Sequence, residues 1–253
     1  VAQKIDELLS VSNLITMSLV KPSKPINRSD RLREMIFHLE PLRSSDLVPQ
    51  DHRQKVLKTE ALPNDFYRVM LQVNTEPERI TGFSNWPTKS LLYAKHLEES
   101  TEVQSHHPMI ESLAIELAGE TENDWEVAQA INRWVYLNLG KELVDTLTAL
   151  DALHERRGEC QSHTYLFAAL ARSVGIPTRI VNGLVYSKEY AGFLYHAWPE
   201  VYVGEWRALD PTFGQSEVDA THIKLTEGEK EGPFGLMGFV GKLAIDWSIR
   251  PAN

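Results

Sequence analysis

The stretch "RRGECQSHTYLFAALARSVGIPTR", Arg156 to Arg179, holds the only cysteine in a chain of 253 residues, Cys160. A solitary cysteine is often a small apolar core filler, so its surroundings decide its meaning. Leu166, Phe167, Leu170 and Val174 recur at spacings of three and four, the period of an amphipathic helix. Gly175 and Ile176-Pro177 close that helix. The pattern predicts a helix that opens at or next to Cys160, just after a flexible Gly158. Unpaired amides and the dipole at a helix start favour an anion, so a thiol placed there is expected to have a lowered pKa. A filler gains nothing from that position; a nucleophile does.

A thiolate needs a partner that moves protons, and histidine suits because its pKa lies near working pH. Of nine histidines, His106 and His107 precede a helix start, and His38 and His52 fall in a strand-rich region. His163 lies one helical turn after Cys160, but a base on the same helix leaves little room for a substrate between them. His154 and His222 carry less weight still. His196 is the strongest candidate, in "LYHAWPEVYVGEWRALDPTF", Leu194 to Phe213. That block reads as two strands joined through Val203-Gly204-Glu205, with Asp210 on the second.

For Asp210 to hold the imidazole in the right tautomer, it must project from the same face as His196. A two-residue loop at Gly204-Glu205 pairs Val203 with Trp206 and puts them on opposite faces. A three-residue loop, with Gly204 or its neighbour left-handed, pairs Tyr202 with Trp206 and puts both on one face. The reading therefore predicts an odd-length loop or a bulge, with the pair one diagonal step apart, roughly 7–8 Å at the backbone. Asp210-Pro211 also reads simply as a turn starter. Pro199 removes a ladder donor, which predicts an edge at that point or a donor facing solvent. A Glu200–Arg207 pair across the hairpin is assigned no role, because exposed ion pairs contribute little.

Outward from this core, "REMIFHLE", "RQKVLKT" and "FYRVMLQVN" are short apolar runs separated by turn-rich clusters, as is "LITMSLV". They predict a β-rich, sandwich-like N-terminal domain over residues 1–90, with a short helix at 1–10. Beyond it, "TKSLLYAKHLEES", "HPMIESLAIELAG", "NDWEVAQAINRWVYLNLG" and "LTALDALHERRG" read as helices, with Asn123 or Asp124 as a cap and Gly119 and Gly140 as stops. Strands return at "TRIVNGLVY", "FLYHAWPEVYV", "EWRALDPTF" and "HIKL". Helices first and strands after make residues 91–253 an α+β domain.

Composition excludes several functions. A formal charge of −9, from 35 acidic and 26 basic residues, offers no basic face for nucleic acid. No apolar run approaches the ~20 residues of a spanning helix. A single cysteine forbids an intrachain disulfide. The chain starts at Val1 without a methionine or an apolar leader, which suggests an upstream segment trimmed on export to the cell envelope, with a cytoplasmic address equally compatible. Cys160, His196 and Asp210 are a poor metal site, since an open thiolate site recruits more ligands and no second cysteine exists.

"GEC", then "LFAALARSVGIPTRIVNGLVY", then "HAWPEVYVGEWRALDPTF", in that order, resemble the catalytic core of the transglutaminase-like superfamily, in particular its bacterial cysteine-hydrolase-like members; the resemblance covers about Trp125 to Gln215. It implies a papain-like α+β core in which the nucleophile opens a helix packed on an antiparallel sheet. By the same resemblance Cys160 is the nucleophile, His196 the general base and then acid, and Asp210 the orienter, working through a thioester without metal or organic cofactor. The Cys160 amide is one expected oxyanion donor. Gln161, Tyr195 and Trp198 are candidates for the second, each with a structural reading too, Trp198 as a core aromatic or a groove wall. The expected function is cysteine-dependent cleavage of amide or peptide bonds in a protein or peptide substrate. Protein-glutamine transamidation shares its first half-reaction, and a scaffold module that retains the fold is the non-enzymatic alternative.

Overall fold

The computed structural model describes residues 19–27, 32–43, 48–76, 91–121, 123–142, 144, 147–228 and 242–249. The expected helix at 1–10 and most of "LITMSLV" lie outside them. Backbone contacts divide the chain into two compact units, Val1–Thr75 with Asn182–His196 and Asp219–Asn253, and Glu76–Val181 with Ala197–Val218. Sequence order places one division near residue 90, where the hydrophobic period changes. Contacts instead divide the chain after Thr75 and return two later segments to the first unit.

In the first unit β1 (Glu34–Leu42), β2 (Gln54–Leu62) and β3 (Phe66–Asn74) form an antiparallel sheet. A C-terminal strand, β10 (Ala244–Ser248), completes it in the order β10-β1-β3-β2. The sequence reading missed β10. Alternation drives the sheet: Met35, Phe37 and Leu39 of β1 and Val69, Leu71 and Val73 of β3 are fully buried, and Phe37 stands opposite Leu71. Phe193 meets Phe37 edge-to-face at 5.6 Å and Tyr186 at 5.3 Å. Gln54 acts as a short strand by itself, since its side chain accepts from the Lys224 amide at 2.9 Å and donates to the Lys224 carbonyl at 2.8 Å. The buried Lys224 ammonium pairs with Asp51 and Glu227. Burial alone would raise the Asp51 pKa, but the Lys224 charge overcomes it and holds that carboxyl below the usual range.

In the second unit a 3₁₀ turn at Leu91–His96 precedes α1 (Pro108–Ala118), α2 (Asp124–Asn138), α3 (Ala149–Glu155) and α4 (Cys160–Ser173). Asn123 caps α2, its side chain accepting from the amides of Trp125 and Glu126. Gly119 stops α1 as expected, but α2 ends at Asn138 with Leu139 as its cap, and Gly140 instead opens β4 (Gly140–Lys141), paired in parallel with β5 (Arg157–Gly158). Every residue of α4 from Gln161 to Arg172 is buried. The expectation of a two-faced helix is thus corrected: α1, α2 and α3 all pack on α4, and a helix covered on every side is a core element. Among the described residues no helix is long and apolar enough to cross a membrane.

Four strands, β6 (Thr178–Ser187), β7 (Gly192–Tyr202), β8 (Trp206–Ala208) and β9 (Ile223–Glu227), form a sheet in the order β8-β7-β6-β9. The chain of β6 and of β7 each contributes to both units. The mixed α+β class with antiparallel sheets is as expected.

Glu200 and Arg207 do not form the exposed pair that the hairpin suggested. Glu200 holds Arg179 (2.8 Å), while the fully buried Arg207 reaches the fully buried Glu76 (3.4 Å) and stacks 5.1 Å from the Trp125 ring. The other Glu76 oxygen accepts the Ala208 amide at 3.1 Å. Arg207 also meets the partly exposed Glu205 at 3.4 Å, but loss of the partner buried with it costs about 3–5 kcal/mol. Glu76→Ala should lower the unfolding free energy by that amount in chemical denaturation, and Glu76→Leu combined with Arg207→Met should recover most of it. A midpoint that Glu76→Ala leaves in place would deny the pair its structural role.

Candidate active site

Cys160 is the first residue of α4, as its sequence context predicts. The cap is Glu159, which the sequence reading overlooked. Its Oε2 accepts the Gln161 amide at 2.8 Å, and its Oε1 accepts the Ser162 amide at 2.9 Å and the Ser162 hydroxyl at 3.0 Å. Ser162 Oγ in turn accepts the Leu147 amide at 2.9 Å. The role of Gly158 is close approach rather than flexibility: a Cβ there would stand 2.5 Å from the Ser162 Cβ.

Glu159 also decides the electrostatics. The Cys160 thiol donates to Glu159 Oε2 at 3.4 Å. Burial first, then the Glu159 carboxylate and the Asp210 charge, push the thiol well above its ordinary value, while a hydrogen bond from the Ala197 amide pulls it down. The expectation of a thiol lowered by the helix start is therefore corrected. The anion that the dipole attracts is already present as the cap, so little of the positive end is left for sulfur. Cys160 is nonetheless half-buried rather than sealed.

Ala197 grips α4 twice. Its amide faces the sulfur, and its carbonyl lies 3.1 Å from the Thr164 hydroxyl, which is also 2.8 Å from the Cys160 carbonyl. The β7–β8 register explains why this edge is open. Tyr202 pairs with Trp206, Val201 with Arg207 and Glu200 with Ala208, so the loop is the three residues Val203-Gly204-Glu205, with Gly204 at φ 99°. This is the odd loop that parity required. The ladder stops one pair short of Pro199, whose carbonyl still accepts the Leu209 amide at 3.2 Å. Lacking an N–H, Pro199 cannot return that bond, and β8 ends there. Ala197, two residues before Pro199, points its polar groups the same way and meets α4 instead.

Asp210 is fully buried in the second unit, and its Oδ1 accepts the amides of Thr212 (2.7 Å) and Phe213 (2.9 Å). Its backbone bridges to Gln215 in both directions. The turn-starter reading holds for it. His196 is buried on β7 in the first unit, directly before Ala197, and meets His222 edge-to-face with ring centroids 6.0 Å apart.

The remaining candidates separate by position. Gln161 is buried in the first turn of α4. Trp198 is fully buried beside Val181, Ala208 and Val218, the core reading. Tyr195 alternates away from His196 onto the hydrophobic core of the first unit, where burial pushes its phenol up to about 12 and its hydroxyl finds no partner among the described residues. His163 is buried with Nδ1 2.9 Å from the Glu159 carbonyl, and burial lowers its pKa, so the ring is committed to the backbone. His154 sits at the surface against Met109 Sδ, 3.2 Å away.

Residues 111–211 match the transglutaminase-like superfamily, a span that contains Cys160, His196 and Asp210. Protein ML0607 of Mycobacterium leprae (strain TN), itself uncharacterised, is 36% identical over 87 residues, which are 32% of this chain and 30% of that protein. The chain thus spans under a third of that relative's length. A protein of Cytophaga hutchinsonii provisionally named a cysteine protease shares the fold with a TM-score of 0.57 at 17% identity, over 85% of this chain and 87% of its own. A provisionally named protease of Parabacteroides distasonis ATCC 8503 aligns with a TM-score of 0.37 at 12% identity, over 83% and 46%. Segment 111–211 is transglutaminase-like, as the resemblance implied.

The Glu159 charge raises the Cys160 pKa, so removing that charge lowers it and increases the thiolate fraction at neutral pH. Glu159→Gln keeps an acceptor for the helix amides and should shift alkylation of Cys160 by iodoacetamide to lower pH, read as adduct mass against time. A shift to higher pH would reverse the assignment.

Proposed function

We propose that this chain is a cysteine-dependent acyl-enzyme catalyst that cleaves amide or peptide bonds, with Cys160, His196 and Asp210 as its triad. The observation that carries the reading is a half-buried sulfur at the head of a core helix, faced by the amide of Ala197, the residue next to His196. A filler cysteine would lie inside that helix bundle, not at its mouth.

Because the thiol is held above its ordinary value, a standing thiolate is scarce and attack needs a proton acceptor at the moment of reaction. His196 takes the thiol proton as Cys160 Sγ bonds to the carbonyl carbon. The Ala197 N–H stabilises the sulfur's charge, and the Cys160 amide, at the helix start, serves the developing oxyanion. As the C–N bond breaks, His196 gives its proton to the leaving amine and a thioester remains. His196 then takes a proton from water, the hydroxide adds to the thioester, and the acid and free thiol are released. Asp210, itself fixed by the Thr212 and Phe213 amides, holds the imidazole tautomer.

Peptide and amide profiling of the wild type against Cys160→Ala and His196→Ala tests this. Each variant should lose at least about a thousandfold in kcat/KM, and mass spectrometry should trap an acyl adduct on Cys160 in the wild type only. Turnover that survives Cys160→Ala would end the reading of Cys160 as the nucleophile, and a wild type without turnover on any substrate would favour the scaffold. Incorporation of an added primary amine faster than release of ammonia or peptide would assign transamidation instead.

A further inference from the structure

We infer that His222, anchored by Asp219, is a positioning residue that backs His196 from within the first unit. The inference rests on the catalytic role proposed for His196. His222 stands directly before β9 in "VDATHIKL", Val218 to Leu225, and is fully buried. Its ring meets that of His196 at 67° with centroids 6.0 Å apart, and a ring nitrogen of each lies within 4.8 Å of the other.

Asp219 holds His222 from the other side. Its Oδ1 is 3.2 Å from His222 Nδ1 and also accepts the Thr221 amide at 2.8 Å and the Thr221 hydroxyl at 2.6 Å. The Asp219 carbonyl accepts from the Arg53 guanidinium at 3.2 Å. A carboxylate facing Nδ1 assigns the proton of the neutral ring to that nitrogen. Within the first unit, the charged and titratable groups set around His222 include Asp219 on its own turn, Arg53 ahead of β2 and His196 on β7.

A leucine or phenylalanine would fill the same volume without the desolvation that a buried ionisable pair brings. The arrangement instead fixes one imidazole edge-on to another and sets a carboxylate one ring behind it. Two effects on His196 follow. Its ring is denied a flip that would point the wrong nitrogen at the thiol, and its cation is favoured by the Asp219 charge when the proton arrives. No proton leaves His196 in this arrangement, and the Cys160–His196 exchange keeps its balance.

Because the chain has one cysteine, iodoacetamide reports on Cys160 alone. Alkylation rate is measured from about pH 5 to 10 for the wild type, His196→Ala, His222→Phe, Asp219→Asn and His222→Gln, with circular dichroism and melting of each. His222→Phe and Asp219→Asn should cut the rate at neutral pH about tenfold and move the limb upward. His222→Gln, which keeps a donor toward Asp219, should recover part of that loss. A merely structural role would lower the melting temperature and leave the limb in place, and that result overturns the inference while the Cys–His reading stands. If His196→Ala itself leaves the profile of the wild type, the underlying reading fails instead. Should His222→Phe not fold, Asp219→Asn, at a partly exposed side chain, decides alone.

Discussion

The second unit is organised around one grip, that of α4 on the open edge of β7 at Ala197. Three facts converge on that residue: a proline two positions later ends the β8 ladder, a threonine one turn into the helix takes the Ala197 carbonyl, and the amide faces the sulfur. A strand edge left open in this way is ordinarily a liability that must be covered. Here the cover is the start of a helix, so the same backbone groups that need partners also locate the thiol. The dense packing of α1, α2 and α3 around α4 leaves the helix no freedom to slide along that edge.

Electrostatics in this corner run against the simple picture of a helix start. Glu159 satisfies two amides and the Ser162 hydroxyl, which secures the first turn, and the same carboxylate opposes ionisation of its neighbour. Stability of the helix and readiness of the sulfur are set against each other in one side chain. A resting thiol rather than a thiolate limits oxidation and stray alkylation, because both proceed through the anion.

Much of this was readable from residue order. Gly204 and the need to bring two even-numbered positions to one face were enough to deduce the three-residue loop, because strand parity admits only two answers. Pro199 marked the end of a ladder for a reason intrinsic to its ring. The helix that begins at Cys160 followed from spacing and from Gly175. Other features depend on long-range contacts that local pattern does not encode. Arg207 pairs with Glu76, in the stretch before the helices, as well as with Glu205, and Lys224 pairs with Asp51 as well as with Glu227, so proximity in sequence could not point to the distant partner of either. The burial of α4 from Gln161 to Arg172 was hidden because Ser162, His163, Thr164 and Arg172 are polar in sequence, although each is enclosed. Glu159 is not among the usual capping residues, and His222 had no neighbour in sequence to flag it apart from Asp219.

β1 is enclosed between β3 and β10, and β10 follows every helix in sequence. During synthesis the ribosome therefore delivers β1, β2 and β3 first, then the helices, and only after them the strand that closes the sheet. Until then the outer edge of β1 has no mate, and its alternating Met35, Phe37 and Leu39 lie in an unfinished layer. Contacts of such wide sequence separation are slow to form. A nascent chain that has not yet reached β10 would thus carry an unsealed sheet, a template for adhesion to other copies.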